Sequence, residues 1–197
     1  MKAGEWERLL AQSSQGRVHA QELARFLEIL DRWGRVVDLT APVRPEVLVR
    51  DHVEESLVGA RWLRGGRLLD VGSGSGFPAI PLLVARRDVR GVLLEPRGRR
   101  WAFLKEVVRV LGLEAEVLRV ELARFSGGKV ENMTVRGLAR QVWEGEAAKV
   151  LGEGGRLLWW AGPRAAVRPP AGFEDVITCP LPSQERGRLV VWGRCST

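Results

Sequence analysis

The strongest chemical signal in the chain is an eight-residue run, Asp70-Val71-Gly72-Ser73-Gly74-Ser75-Gly76-Phe77. Glycine at alternate positions lets the backbone turn sharply and lets a ligand approach the main chain with no Cβ in the way. A dinucleotide fingerprint, G-x-G-x-x-G, would need its third glycine at position 77, which is Phe77; that glycine falls one residue early, at Gly76. Asp70 stands just before the turn, where a carboxylate can face a ligand's ammonium group. Glu95, 25 residues after Asp70, stands where an acid accepts from ribose hydroxyls. This arrangement fits an aminoacyl nucleoside better than a nicotinamide dinucleotide, which remains the rival ligand. The bland alternative is an ordinary strand-to-helix turn, and the surrounding elements decide between them.

Few other residues offer chemistry. His19 and His52 are the only histidines, and no Ser-His-Asp triad or metal cluster can be drawn around them, so no metal is expected. Cys179 and Cys195 lack metal-ligand spacing and are too few for a disulfide scaffold, which predicts reduced thiols. Between residues 86 and 109, eight basic residues stand against Asp88, Glu95 and Glu106. Arg97, Arg99 and Arg100 lie closest to the glycine turn's acidic partner, and they are candidates for phosphate contact as well as for a solvated helix face. Trp159 and Trp160 are adjacent, so on a strand they face opposite ways, and one of them could reach a base or the ligand.

Composition narrows the classes. Hydrophobic residues make up 45% of the 197 and charged residues 28%, which is globular rather than disordered or collagen-like. Apolar runs such as 157–161 are far too short to cross a bilayer. Residues 1–10 carry Glu5 and Glu7 and lack the layout of a signal peptide. A cytoplasmic, monomeric protein is the expectation. The 31 basic residues exceed the 24 acidic ones, for a net charge of +7, and 27 of the 31 are Arg. Arginine's flat donor fork suits phosphates and guanine edges, so the balance leans toward an anionic partner such as nucleic acid.

The elements that must position these residues follow from periodicity. Leu23, Phe26, Leu27, Leu30 and Trp33 form one stripe of a helix over 20–35. Pro45 opens a second helix through Leu57, with Val49, Val53 and Leu57 on one face. From residue 67 the pattern alternates: strand 67–71, glycine turn, helix 78–85, strand 91–94 ending before Glu95, and helix 99–111. That last helix puts Trp101, Leu104, Val108 and Leu111 on one face and closes at Gly112. Strands 117–120 and 133–135, a helix 142–151 stopped by Gly152, and strand 156–160 come next. The runs 173–178 and 188–192 read as an antiparallel pair at one edge. Alternation of this kind means an α/β fold with a parallel sheet covered by helices on both faces, binding its ligand at the carboxyl ends of the strands.

The run 70–81, Asp-Val-Gly-Ser-Gly-Ser-Gly-Phe-Pro-Ala-Ile-Pro, closely resembles the glycine motif of the bacterial ribosomal RNA guanine-N7 methyltransferases of the glucose-inhibited-division B type. Asp38-Leu39-Thr40 resembles that family's Asn-Leu-Thr, and residues 50–57 resemble its His-x-x-Asp-Ser-Leu element. Residues 98–104 resemble its basic pair followed by Phe-Leu, and Arg136-Gly137 its Arg-Ala after strand four. Together these cover roughly residues 36–194. The resemblance implies a Rossmann-like class I S-adenosylmethionine-dependent methyltransferase with a mostly parallel seven-stranded sheet and an antiparallel edge. Residues 1–64 would be an N-terminal helical extension packed on a core of 65–197, one domain in all. It implies a cofactor site made by Gly72, Gly74, Gly76, Phe77 and Glu95, with Leu122, Ala123 and Arg136 contributing, alongside Asp70. It also implies small-subunit ribosomal RNA as partner, with His52 near the site. Glu121-Leu122-Ala123-Arg124 departs from the family's Arg-x-Glu-Glu, and Ala161 stands where the family has a lysine.

Guanine N7 carries a lone pair and no proton, so it attacks a sulfonium methyl without a general base, and the protein's task is in-line positioning. Arg136 is the candidate catalytic residue, donating to guanine O6 or to the cofactor carboxylate. If it is exposed, its removal should change stability by less than about 1 kcal/mol. A catalytically silent cofactor- and RNA-binding module, motivated by the 121–124 loop and Ala161, and a methyltransferase with another acceptor are the competing readings.

Overall fold

The computed structural model describes residues 1–41, 43–183 and 187–196. A seven-stranded sheet with the order β3-β2-β1-β4-β5-β7-β6 organises the chain. Its strands are β1 (Gly66–Val71), β2 (Val89–Leu94), β3 (Ala115–Leu118), β4 (Val130–Arg136), β5 (Leu151–Ala161), β6 (Phe173–Pro180) and β7 (Arg188–Arg194). Strands β1 to β5 are parallel, and β7 runs antiparallel to both β5 and β6, as the alternation and the two terminal β-rich runs require. From β1 the chain builds outward to β2 and β3, then returns to place β4 on the other side of β1. That reversal opens a crevice at the carboxyl ends of β1 and β4, the place where doubly wound sheets take their ligands.

Side chains alternate across each strand, so the sheet divides the core into two layers. Leu68 belongs to the first, Leu69 and Val71 to the second. The first layer is covered by α1 (Ala3–Ala11), α2 (Ala20–Gly34), α3 (Pro45–Leu48), α4 (Glu55–Leu57), α5 (Ala79–Ala85) and α6 (Gly98–Leu111). The second is covered by α7 (Glu144–Val150). Leu23, Phe26, Leu27 and Leu30 of α2 are buried against the first layer, with Trp33 half-buried at its edge. At about 1.5–3 kcal/mol for each fully buried large side chain, this stripe fastens the N-terminal helices to the sheet beside the crevice.

Three local expectations are corrected. The helix over 45–57 is not uniform: Val49–Glu54 winds as a π-helix between α3 and α4. Val49, Val53 and Leu57 are still buried together. On α6 the buried face is Phe103, Leu104, Val107 and Leu111, while Trp101 and Val108 sit half-exposed on its flank. The last helix starts at Glu144 rather than 142, after a 3-10 turn over Arg140–Val142, and ends at Val150 beside Gly152, where β5 begins at Leu151 and pairs with Val130.

Among the described residues no helix is long and apolar enough to cross a membrane. Among them no group of three or more His, Cys, Asp or Glu is placed to hold a metal ion.

Candidate functional site

The chain leaves β1 through the glycine turn with Gly72, Gly74 and Gly76 all at positive φ. A Cβ on Gly76 would come within 2.8 Å of Ile80 Cγ1 and 3.2 Å of Phe26 Cζ, so this glycine lets the turn pack onto α5 and α2. Gly74 differs. A Cβ there would meet nothing closer than the Gly72 carbonyl at 3.6 Å, so its φ of +54° demands glycine although the protein leaves room. Backbone conformation requires the glycine, and the space beside it belongs to the cleft, where a ligand can approach the main chain.

That cleft, of about 380 Å³, is lined by Gly72, Ser73, Gly74 and Ser75 after β1 and by Arg136, Gly137 and Leu138 at the end of β4. Its size falls within the range of about 300–1,000 Å³ usual for small-molecule sites. Phe77, Glu95, Pro96, Arg97, Arg100, His52 and Leu39 complete it. The sequence-predicted Gly72, Gly74, Phe77, Glu95, Arg136, His52, Arg97 and Arg100 therefore meet in one place. Asp70, Gly76, Leu122, Ala123 and Arg99 are not among its lining residues. Leu122 is buried in the second core layer, and Ala123 and Arg99 are exposed.

Glu95 is 3% exposed and clamps the turn: its Oε2 accepts from the Gly74 N–H at 2.9 Å and its Oε1 from the Arg97 N–H at 2.8 Å. Each oxygen keeps a second lone pair, which a diol could use. Asp70 lies behind the turn, 1% exposed. Its Oδ1 accepts from Thr134 Oγ1 at 2.7 Å, and its Oδ2 is buried with no hydrogen-bond partner among the described residues. Burial pushes its carboxyl up to about 6; the Thr134 and Ser73 hydroxyls oppose that, and the nearby Glu95 charge adds to it. An ionised carboxylate enclosed like this calls for a cation. An aminoacyl ligand brings an ammonium group, so the orphaned oxygen and the open face of Gly74 suit S-adenosylmethionine.

Arg136 leaves the end of β4, but it is not exposed. Its side chain is 15% accessible, and Nη2 donates to the Asp51 carbonyl at 2.7 Å and to Glu55 Oε2 at 2.6 Å. The exposure under which its removal would cost little stability is thus not met. The signal for Glu55 was present in its place within the His-x-x-Asp-Ser-Leu resemblance, but pairing across 81 residues of sequence is invisible before folding. His52 packs its ring on Phe77, 5.1 Å between centroids. Arg100 is committed too: Nε and Nη2 donate to the Asp38 carbonyl at 3.1 and 2.7 Å, tying the segment that carries Leu39 onto α6. Arg97 and Arg99 are exposed and form no ion pair among the described residues. Leu39, Leu138 and Gly137 escaped the reading from residue types, because apolar and glycine positions carry no chemical label.

A second cleft, of about 480 Å³, adjoins the first through Gly137 and Leu138. It lies at the ends of β4 and β5 between Arg140, Trp159, Trp160 and the 162–168 segment. Trp159 and Trp160 do face opposite layers, and both are largely buried. Trp159 stacks on Trp192, and Trp160 Nε1 donates to the Glu55 carbonyl at 2.8 Å.

A doubly wound sheet with this glycine turn at its switch point is the architecture of S-adenosylmethionine-dependent methyltransferases. A SAM dependent methyltransferase from Aquifex aeolicus superposes with a TM-score of 0.61 over 84% of this chain and 98% of that one, at 17% identity. At such identity the likeness defines the fold class. Sequence goes further. The pattern of the family described as rRNA small subunit methyltransferase G, GidB, matches residues 19–166, and the chain belongs to that family. It is 38% identical over 157 residues to the ribosomal RNA small subunit methyltransferase G of Methylococcus capsulatus, covering 77% of this chain and 76% of that protein. It is 39% identical over 93 residues to the protein of the same name from Glaesserella parasuis, where the match spans 46% of the relative's length, about half.

Proposed function

We propose that this chain transfers the methyl group of S-adenosylmethionine to N7 of a guanine in small-subunit ribosomal RNA, acting in the cytoplasm. The observation that carries the reading is the cleft at the β1/β4 switch point, with the orphaned Asp70 carboxyl beside its glycine turn and Arg136 in its lining. Asp70 would receive the ammonium end of the cofactor, the Gly72–Gly74 main chain its methionyl part, and Glu95 its ribose hydroxyls. Leu39, Phe77 and Pro96 would exclude water from the rest of it. When bound, the cofactor supplies an electrophilic methyl on a sulfonium.

The guanine would enter by the adjoining cleft, whose shared wall at Gly137 and Leu138 brings an acceptor next to the cofactor. The N7 lone pair would form the new N–C bond as the C–S bond breaks; no proton moves, so the chemistry requires no general base. Arg136 would orient the base through O6, which leaves N7 free to attack. Exposed Arg97 and Arg99 on one side and Arg164 and Arg168 on the other would meet the phosphates.

The test is to incubate the protein and labelled S-adenosylmethionine with small-subunit RNA, naked and as assembled subunits, from cells lacking this gene. A label mapped to N7 of one guanine supports the reading. Binding of both ligands without transfer to either form of the RNA would replace it with a silent module. A label at another atom would replace it with a methyltransferase of different acceptor.

A further inference from the structure

We infer that Glu55 is a positioning residue for methyl transfer: by fixing the Arg136 guanidinium from behind, it sets the donor that faces the acceptor. This rests on the reading that Arg136 orients the reacting base. Glu55 is fully buried, and its carboxylate is held at both oxygens. Arg136 Nη2 donates to Oε2 at 2.6 Å and Ser183 Oγ donates to Oε1. Its main chain is held as well, since Trp160 Nε1, from β5, donates to the Glu55 carbonyl at 2.8 Å.

The π-helical turn just before Glu55 completes the arrangement. There the Glu55 N–H donates to the His52 carbonyl, while the Asp51 carbonyl accepts from Arg136 Nη2 at 2.7 Å. One nitrogen of the guanidinium is therefore gripped by two acceptors on successive turns of one helix. That helix is tied in turn to β5 and to the segment after β6. A π-turn is a common way to re-aim a group at a functional site. Here it presents the Asp51 carbonyl and the Glu55 carboxylate to the same nitrogen, and it sets His52 against Phe77 in the cofactor cleft. A planar guanidinium gripped in this way has little freedom to turn, which is what in-line attack requires of its orienting donor.

The experiment is a double-mutant cycle in kcat, with Glu55→Gln, Arg136→Met and the pair. Rates are measured on small-subunit RNA at a temperature where circular dichroism shows every variant folded. Arg136→Met should lower kcat about a hundredfold or more. Glu55→Gln, which keeps the shape and loses the charge, should lower kcat by about tenfold. It should leave KM for RNA and the affinity for S-adenosylmethionine within about twofold, because neither ligand touches Glu55. The pair should be no slower than Arg136→Met alone, since Glu55 acts only through that arginine. Wild-type kcat in Glu55→Gln, or losses that multiply in the pair, would overturn the inference. Full activity in Arg136→Met would instead overturn the reading of Arg136 beneath it. If Glu55→Gln does not fold, Ser183→Ala removes one of the two donors to the carboxylate. It should lower kcat severalfold alone and not at all in the Arg136→Met background; an unchanged kcat would refute the positioning role.

Discussion

Replacing Asp70 by Asn should make the protein's stability less dependent on pH, at the expense of its cofactor. The carboxyl is pushed from 3.8 up to about 6, chiefly by burial. Each unit corresponds to about 1.4 kcal/mol, so holding Asp70 ionised costs the folded state about 3 kcal/mol. Between the two values the folded protein keeps a proton that the unfolded chain has lost. The folded pKa is raised, so stability falls as pH rises through this window, and the penalty is complete above about 6. Asn has no charge to bury. Its amide leaves a donor where Oδ2 had no partner, a constant offset of about 1–3 kcal/mol that does not vary with pH. The measurable quantity is therefore the variant's stability minus the wild type's, from urea unfolding at several pH values. That difference should grow by about 2 kcal/mol between about pH 4.5 and about pH 7.5. In calorimetry, wild-type affinity for S-adenosylmethionine should rise as the carboxylate forms, while Asp70→Asn should bind weakly and without that rise. A stability difference flat in pH, or one shrinking as pH rises, would refute the burial argument. An Asn variant binding as tightly as wild type would refute the ammonium role.

Gly74→Val should abolish S-adenosylmethionine binding in calorimetry with the fold intact by circular dichroism, because a β-branched residue at φ +54° is strained and its side chain would project into the cleft; unchanged affinity would count heavily against the site. Arg97→Ala and Arg99→Ala should each shrink the slope of log RNA affinity against log salt by about one unit. Arg100→Ala, by contrast, should leave that slope alone and lower stability by about 1 kcal/mol, having lost its bonds to the Asp38 carbonyl. Arg136→Met should lower methyl transfer about a hundredfold. It should also lower unfolding free energy by about 3–5 kcal/mol, because it strands the buried Glu55 carboxylate; a stability change below about 1 kcal/mol would show the pair to be unimportant.

Local patterns in the sequence determine most of the frame. Short, near-continuous apolar runs such as 68–71 and 92–94, each ended by a turn or an acid, read as strands buried on both faces, and glycines at 72, 74 and 76 read as a tight turn, which their positive φ values bear out. The order of those runs, with an acid before the turn and another after the second strand, makes a nucleoside-type site legible before any coordinates. What tertiary structure alone decided concerns partners far apart in the chain. Sequence marks Glu95 as an acid near a ribose, but only folding shows it clamping the Gly74 and Arg97 N–H groups. It marks Arg136 as an arginine at a strand end, yet its guanidinium is set by Asp51 and Glu55 from the N-terminal helices. It marks Arg100 as a phosphate contact, yet a carbonyl 62 residues away takes two of its donors. The reason is physical. Periodicity and backbone conformation are read from neighbours within a few residues, whereas the partner of a buried charge is chosen by which surfaces the hydrophobic layers bring together.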